Sequence, residues 1–168
     1  MLNMIRISGI IEESVVDGPG IRYVIFTQGC LHNCLNCHNQ QTHPLDGGYN
    51  IKIDELANNI NNIKYYDGVT ISGGEPFLQI RECHLLVSLL KDKHIMVYTG
   101  FIFEDLLKKS QTDLVLHDLL LKIDLLVDGP YIDSLKSYDL HFKGSKNQRI
   151  IECRNSILEN KIILSSYN

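Results

Sequence analysis

Four short runs of β-branched and aromatic residues, each closed by a glycine turn, constrain this chain more than any other feature of its sequence. They are Ile21–Thr27, which runs to Gly29; Val69–Ser72, which runs into Gly73-Gly74; Ile95–Tyr98, stopped by Thr99-Gly100; and Ile123–Val127, stopped by Asp128-Gly129-Pro130. Runs of this length and composition read as buried strands. Between them lie segments with helical spacing: Ile53–Ile63, then Gln79–Lys91 with Leu85, Leu86, Leu89 and Leu90 on or beside one stripe, then Phe103–Lys109 and Leu114–Leu121. Arg149–Cys153 reads as a last strand. Strands that alternate with helices imply parallel βαβ units, hence an α/β sheet whose functional loops gather at the carboxyl ends of the strands. That edge would collect a cysteine loop, Ser72-Gly73-Gly74-Glu75-Pro76, Tyr98-Thr99-Gly100 and Val127-Asp128-Gly129. No internal repeat, low-complexity tract or Pro/Ser-rich linker interrupts the pattern, so residues 1–168 are expected to form a single domain.

Three of the five cysteines crowd into the segment from Gln28 to His38, a C-x3-C-x2-C spacing directly after the run Ile21–Thr27. No apolar stretch approaches the ~20 residues of a membrane helix, and the first residues lack the pattern of a secretory leader. The expected location is therefore cytoplasmic, away from any membrane. In that reducing compartment, clustered cysteines signal metal binding or catalysis rather than disulfides. Thiolates suit zinc or iron–sulfur clusters. Structural zinc takes four ligands, usually as two separated pairs, and this chain has no second pair. His32, His38 or His43 could complete a zinc site, but none sits at the customary finger spacing. Three thiolates on a four-iron cluster leave one iron open to a substrate, whereas electron-transfer clusters of this type use four cysteines. The loop thus favours chemistry at the cluster. Cys83 and Cys153 stand alone and read as small apolar side chains. The formal charge of −4 argues against non-specific nucleic-acid binding. The chain has no Walker loop, G-x-G-x-x-G, H-E-x-x-H or G-x-S-x-G, which removes support for the common hydrolase and dehydrogenase readings.

Taken together, the C-x3-C-x2-C loop after a strand and Ser72-Gly73-Gly74-Glu75-Pro76 at the next strand end resemble the radical S-adenosylmethionine enzymes, from about Asp17 to Arg149. That resemblance implies an open, partial (βα) barrel of about five or six mostly parallel strands; a full eight-unit barrel of ~250 residues does not fit this length. It also implies that Cys30, Cys34 and Cys37 each bind an iron of a 4Fe-4S cluster, and that the amino and carboxylate groups of S-adenosylmethionine chelate the fourth. An external one-electron reductant would charge the cluster, which cleaves the sulfonium to methionine and a 5′-deoxyadenosyl radical. Gly73, Gly74 and Glu75 would receive the methionyl amino group, since two glycines permit close backbone approach and a carboxylate or carbonyl accepts from an ammonium. Many members carry an aromatic residue before the third cysteine, where this chain has Asn36; that position and its neighbours flank the adenine. Asn36, Cys37 and His38 are thus candidate cofactor contacts. Thr99 and Asp128 could hydrogen-bond the methionine or ribose portions, with strand-end capping as the alternative.

Asp17-Gly18-Pro19-Gly20, with Arg22 close behind, is locally a tight turn feeding a strand, and it is similar to the turn of enzymes that activate glycyl-radical proteins. Leu126–Tyr131 with Phe142–Arg149 is similar to the C-terminal half of the activating components of anaerobic ribonucleoside-triphosphate reductases, with Lys143 where many relatives carry Arg. The resemblance implies that such a reductase is the partner, and that the radical takes a hydrogen from the α-carbon of one of its glycines. Alternatives are an activase of pyruvate formate-lyase type, a small radical enzyme acting on a free metabolite such as the carboxydeazaguanine synthase group, and a non-catalytic metal-binding or electron-transfer module. The role of the loop Phe142–Arg149 is not legible in its residue types.

Overall fold

The β-branched runs form the middle of a sheet, because both of their faces are covered. The computed structural model describes residues 3–168. In chain order the elements are β1 (Met4–Ser14), β2 (Arg22–Thr27), β3 (Tyr49–Lys52), α1 (Ile53–Asn62), β4 (Gly68–Gly73), α2 (Ile80–Leu89), β5 (His94–Tyr98), α3 (Phe103–Ser110), α4 (Leu114–Lys122), β6 (Leu125–Asp128), β7 (Arg149–Glu152) and α5 (Cys153–Leu158). All seven strands join one sheet in the order β3-β1-β2-β4-β5-β6-β7. β2, β4, β5 and β6 run parallel. β1 pairs antiparallel with both β2 and β3, and β7 pairs antiparallel with β6. The edges β3 and β7 do not meet, so the barrel stays open as expected.

Seven strands exceed the expected five or six, and the additions have a physical reason. β1 carries register shifts between Ile7 and Gly9 and between Ile11 and Ser14, which break the period-two pattern that would announce it. In β3 every residue is at least partly exposed, so no apolar run marks it. The cysteine loop consequently follows the second strand rather than the first. The last strand ends one residue early, and Cys153 opens a short helix instead.

Alternation along each strand divides the molecule into two layers. Ile25, Ile71, Val97 and Leu126 of the parallel strands pack against Leu56 and Ile60 of α1, Leu86 of α2, Phe103 of α3 and Leu120 of α4. Each such side chain contributes about 1.5–3 kcal/mol on burial. A one-residue slip would turn the whole set outward, so the register is strongly fixed. Met96, Leu125, Val127 and Ile150 lie on the other face. There, at the amino end of the strands, fully buried Arg22 acts as a plug. Its guanidinium donates to Thr70 Oγ1 (3.0 Å), Val69 O (2.7 Å) and His94 O (3.1 Å), and lies 3.1 Å from His94 Nδ1. All are neutral acceptors, and burial pushes its pKa down to about 10. The Asp17–Gly20 turn belongs to this plug, because the Thr70 hydroxyl also donates to Asp17 O at 2.7 Å. No helix among the described residues is long and apolar enough to cross a membrane.

Candidate active site

At the opposite, carboxyl end of the strands, four strand ends open onto a cavity of about 450 Å³, a size suited to a nucleotide-like ligand. Its wall includes Cys30, Cys34, Cys37, His38, Ser72, Gly73, Gly74, Tyr98, Thr99 and Tyr131. The backbone of the cysteine loop is tied on two sides. Gly29 N–H donates to Thr42 O (2.7 Å) and Cys30 N–H to His43 O (3.1 Å); across the rim, Gly74 N–H donates to Thr27 O (2.8 Å) and Glu75 N–H to Gly29 O (2.7 Å). A Cβ on Gly74 would fall inside van der Waals contact of the Gly29 carbonyl, so only glycine lets the β4 end lie against the cysteine loop. Asn33 (φ 51°) and Asn36 (φ 54°) take left-handed backbone, which asparagine tolerates. These bends curl the loop around its three half-buried free thiols. Burial pushes the Cys30 thiol up, opposed by backbone hydrogen bonds from His32 and Asn33; a bound metal reverses this, because a coordinating thiol is deprotonated outright.

Glu75 and Thr99, both expected to touch the cofactor, are occupied with each other. The Glu75 carboxylate is 1% exposed. It accepts from the Thr99 hydroxyl (2.9 and 3.0 Å), Gly100 N–H (2.9 Å), Phe77 N–H (3.0 Å) and His32 Nε2 (2.7 Å). His32 thereby joins the cysteine loop to the ends of β4 and β5. Its ring meets Phe101 edge-on at 4.6 Å and occupies the space that a Cβ on Gly100 would need. Sequence reasoning weighed His32 only as a zinc ligand. The signal for this role was its place inside the C-x3-C arc, one strand end from a buried carboxylate.

Asp128 makes the strand-end cap that was the alternative for it. Its carboxylate, 1% exposed, accepts from Phe103 N–H (2.8 Å) at the start of α3 and from Arg149 Nε (3.0 Å), with Nη2 at 2.5 Å. Arg149 also pairs with Glu104 at 2.7 Å. Asn36 donates to Asp133 Oδ2 at 2.8 Å, and Tyr131 donates to Asp133 Oδ1 at 2.8 Å. His38 packs beside Tyr131, ring centroids 4.9 Å apart, so the aromatic surface next to the cysteine loop comes from these two residues and not from the Asn36 position. Of the expected site residues, Cys30, Cys34, Cys37, His38, Gly73, Gly74 and Thr99 thus share the cavity wall, while buried Glu75 and Asp128 brace the strand ends behind it and Asn36 lies exposed beside Asp133.

Cys30, Cys34 and Cys37 are soft thiol donors that share one cavity wall, a donor set suited to an iron–sulfur cluster. A 4Fe-4S single cluster domain matches residues 16–151. The chain belongs to this family. It is 35% identical over 144 residues to the anaerobic ribonucleoside-triphosphate reductase-activating protein of Enterobacteria phage T4, a match covering 80% of this chain and 86% of that protein. Over 86 residues it is 45% identical to the pyruvate formate-lyase-activating enzyme of Staphylococcus aureus, which covers 48% of this chain and 34% of that enzyme. This 4Fe-4S protein therefore spans most of the first relative's length and about a third of the second's. The radical S-adenosylmethionine resemblance read from the cysteine and glycine motifs agrees with both.

Proposed function

We propose that this 4Fe-4S protein is a radical S-adenosylmethionine activase that installs a glycyl radical on an anaerobic ribonucleoside-triphosphate reductase. The observation that carries the reading is the sharing of one open cavity by three half-buried thiols and the Gly73-Gly74 strand end. Cys30, Cys34 and Cys37 hold the cluster. The backbone at Gly73 and Gly74, held against β2 and the cysteine loop where no Cβ would fit, lies on the cavity wall and receives the methionyl ammonium. His38 and Tyr131 wall the cavity beside the loop, and Glu75, Thr99 and Asp128 keep its rim in shape. When bound, the cluster and cofactor supply one-electron cleavage of a sulfonium and a radical that removes hydrogen from carbon. The chain's share is to position, and the sheet does not close on itself, so a polypeptide loop of the partner would enter from the open side. Residues 1–168 act as one domain in the cytoplasm, with an external one-electron reductant.

Anaerobic reconstitution, reduction and addition of S-adenosylmethionine should yield 5′-deoxyadenosine. Adding the cognate reductase should then produce a glycyl-radical resonance. No 5′-deoxyadenosine would reduce the protein to a metal-binding module. Cleavage without a protein radical would point to a free metabolite, and a radical on pyruvate formate-lyase instead would reassign the partner.

A further inference from the structure

Nothing within the fold requires a glycine at position 9. Gly9 is the one glycine among the described residues whose Cβ would meet nothing within 4 Å, and its φ lies outside the left-handed region. A glycine inside a strand weakens that strand, and it marks a bend or a place where another backbone comes close. A bulge does adjoin it, with the register shifting between Ile7 and Gly9, but that bend asks for no left-handed backbone at Gly9. The second reading is left.

The position of Gly9 says what could come close. Gly9 stands opposite Phe26, Ile10 opposite Ile25 and Ile11 opposite Val24. Residues directly opposite share a face of the sheet, and successive ones alternate between faces. Ile10 and Ile25 pack in the helix-side core, whereas Ile11 and Phe26 lie on the cavity wall. Gly9 is therefore on the cavity face, beside both. On the outer side of β1, β3 pairs with Met4–Ile7 alone. Among the described residues, no strand continues along Ser8–Ser14 there. That stretch is a free strand edge on the open side of the sheet, continuous with the cavity wall through Ile11. Exposed Glu12 and Glu13 extend it. Their like charges oppose pairing with a second copy and favour an incoming segment that carries a basic side chain.

We propose that the free edge Ser8–Ser14 of β1 receives the glycine-bearing segment of the partner reductase as an added strand, and that Gly9 is the clearance over which this segment passes into the cavity. The inference rests on the activase reading above and names how the partner is held. A glycine α-carbon has to reach a radical made inside the cavity, and this edge leads there. Main-chain bonds to a strand edge supply affinity for an extended segment, and the missing side chain lets its backbone cross the sheet beside Ile11 and Phe26.

The test uses reconstituted, oxygen-protected holoprotein with the cognate reductase. Gly9→Val puts a β-branched side chain into the free space. Cluster-free Gly9→Val should melt at or above the wild-type temperature, because valine favours strands. Without reductase, its holoprotein should form 5′-deoxyadenosine as wild type does. The glycyl-radical resonance it produces on the reductase, at limiting activase, should fall roughly 10- to 100-fold, the range of an overpacked contact. A wild-type radical yield overturns the inference. So does an equal loss of 5′-deoxyadenosine formation, which would place Gly9 in the cofactor's own space. If Gly9→Val melts well below wild type, hydrogen exchange decides: the amides of residues 8–14 in wild-type holoprotein should gain protection when reductase is added, and unchanged exchange overturns the inference. If the holoprotein alone is a dimer that Gly9→Val dissociates, the edge belongs to a second copy and the partner assignment fails. If wild type forms 5′-deoxyadenosine but no radical on the reductase, the activase reading falls and the inference falls with it.

Discussion

Replacing Glu75 by glutamine separates a carboxylate that shapes the site from one that touches the cofactor. Both oxygens accept from rigid backbone donors, Oε1 from Phe77 N–H and Oε2 from Gly100 N–H. The Thr99 hydroxyl and the His32 ring can reverse their roles, but an N–H of the main chain cannot. Whichever way the introduced amide is turned, its NH2 group therefore faces one backbone donor. Leaving one buried N–H unpaired costs about 1–3 kcal/mol. For a chain of this size each kcal/mol lowers the melting temperature by about 2–4 °C, so Glu75→Gln should melt roughly 2–12 °C below wild type. Glu75→Ala should fall further, since it orphans both backbone donors. The assay is thermal unfolding of the cluster-free protein under reducing conditions, so that cofactor effects do not enter. Unchanged melting of Glu75→Gln, combined with lost S-adenosylmethionine binding by the holoprotein, would refute the shaping role and return Glu75 to the cofactor.

The remaining predictions concern the thiols, the rim and pH. Cys30→Ala, Cys34→Ala and Cys37→Ala should each abolish iron retention and 5′-deoxyadenosine formation, while Cys83→Ala and Cys153→Ala, both in the main core, should leave them largely intact. Equal loss from all five, read by iron analysis, would count against the assignment. Gly74→Ala drives a Cβ into the Gly29 carbonyl and should cost about 1–3 kcal/mol in urea unfolding as an overpacking change; wild-type stability would mean that the cysteine loop yields freely. Burial, followed by the Arg22 charge, holds the His94 imidazole below its ordinary range. The folded chain thus keeps His94 neutral where the unfolded chain protonates it. That contribution is complete above about pH 6.5 and is lost progressively as pH falls below it. His94→Gln should flatten the acid side of the stability profile measured by urea unfolding between pH 5 and 7, and an identical slope in the variant would contradict this.

How much of the molecule could be read from residues follows from burial. β2, β4, β5 and β6 are covered on both faces, so their sequences are continuous apolar runs, and the helices between them show their stripes. β1 and β3 escaped notice because bulges interrupt the first and solvent bathes the second. At the site, spacing alone singled out the three thiols, and a strand end singled out Gly73-Gly74; folding brings both onto one cavity wall. What spacing cannot show is which way a polar side chain is satisfied. Glu75, Thr99 and Asp128 are acceptors and donors in suitable positions, yet each is answered by protein: Glu75 by Gly100 and Phe77, Thr99 by Glu75, Asp128 by Arg149 and Phe103. Those partners lie 2 to 25 residues away in the chain, and only folding brings the distant ones together.

The reversal of β7 has a topological result. A fifth parallel strand would have sent the chain down the outside of the sheet through another helix before returning. Because Arg149 instead pairs with Asp128 at the same end, residues 129–148 never leave the rim and arch over it as a canopy. The arch is held at its two feet, where Gln148 bonds Gly129 O and Phe142 packs on the sheet, and its exposed middle, around Tyr138, can vary without disturbing the strand ladders. Diversification of what such a scaffold admits should therefore concentrate in the exposed middle of this canopy, while its anchored feet and the strands below stay nearly constant.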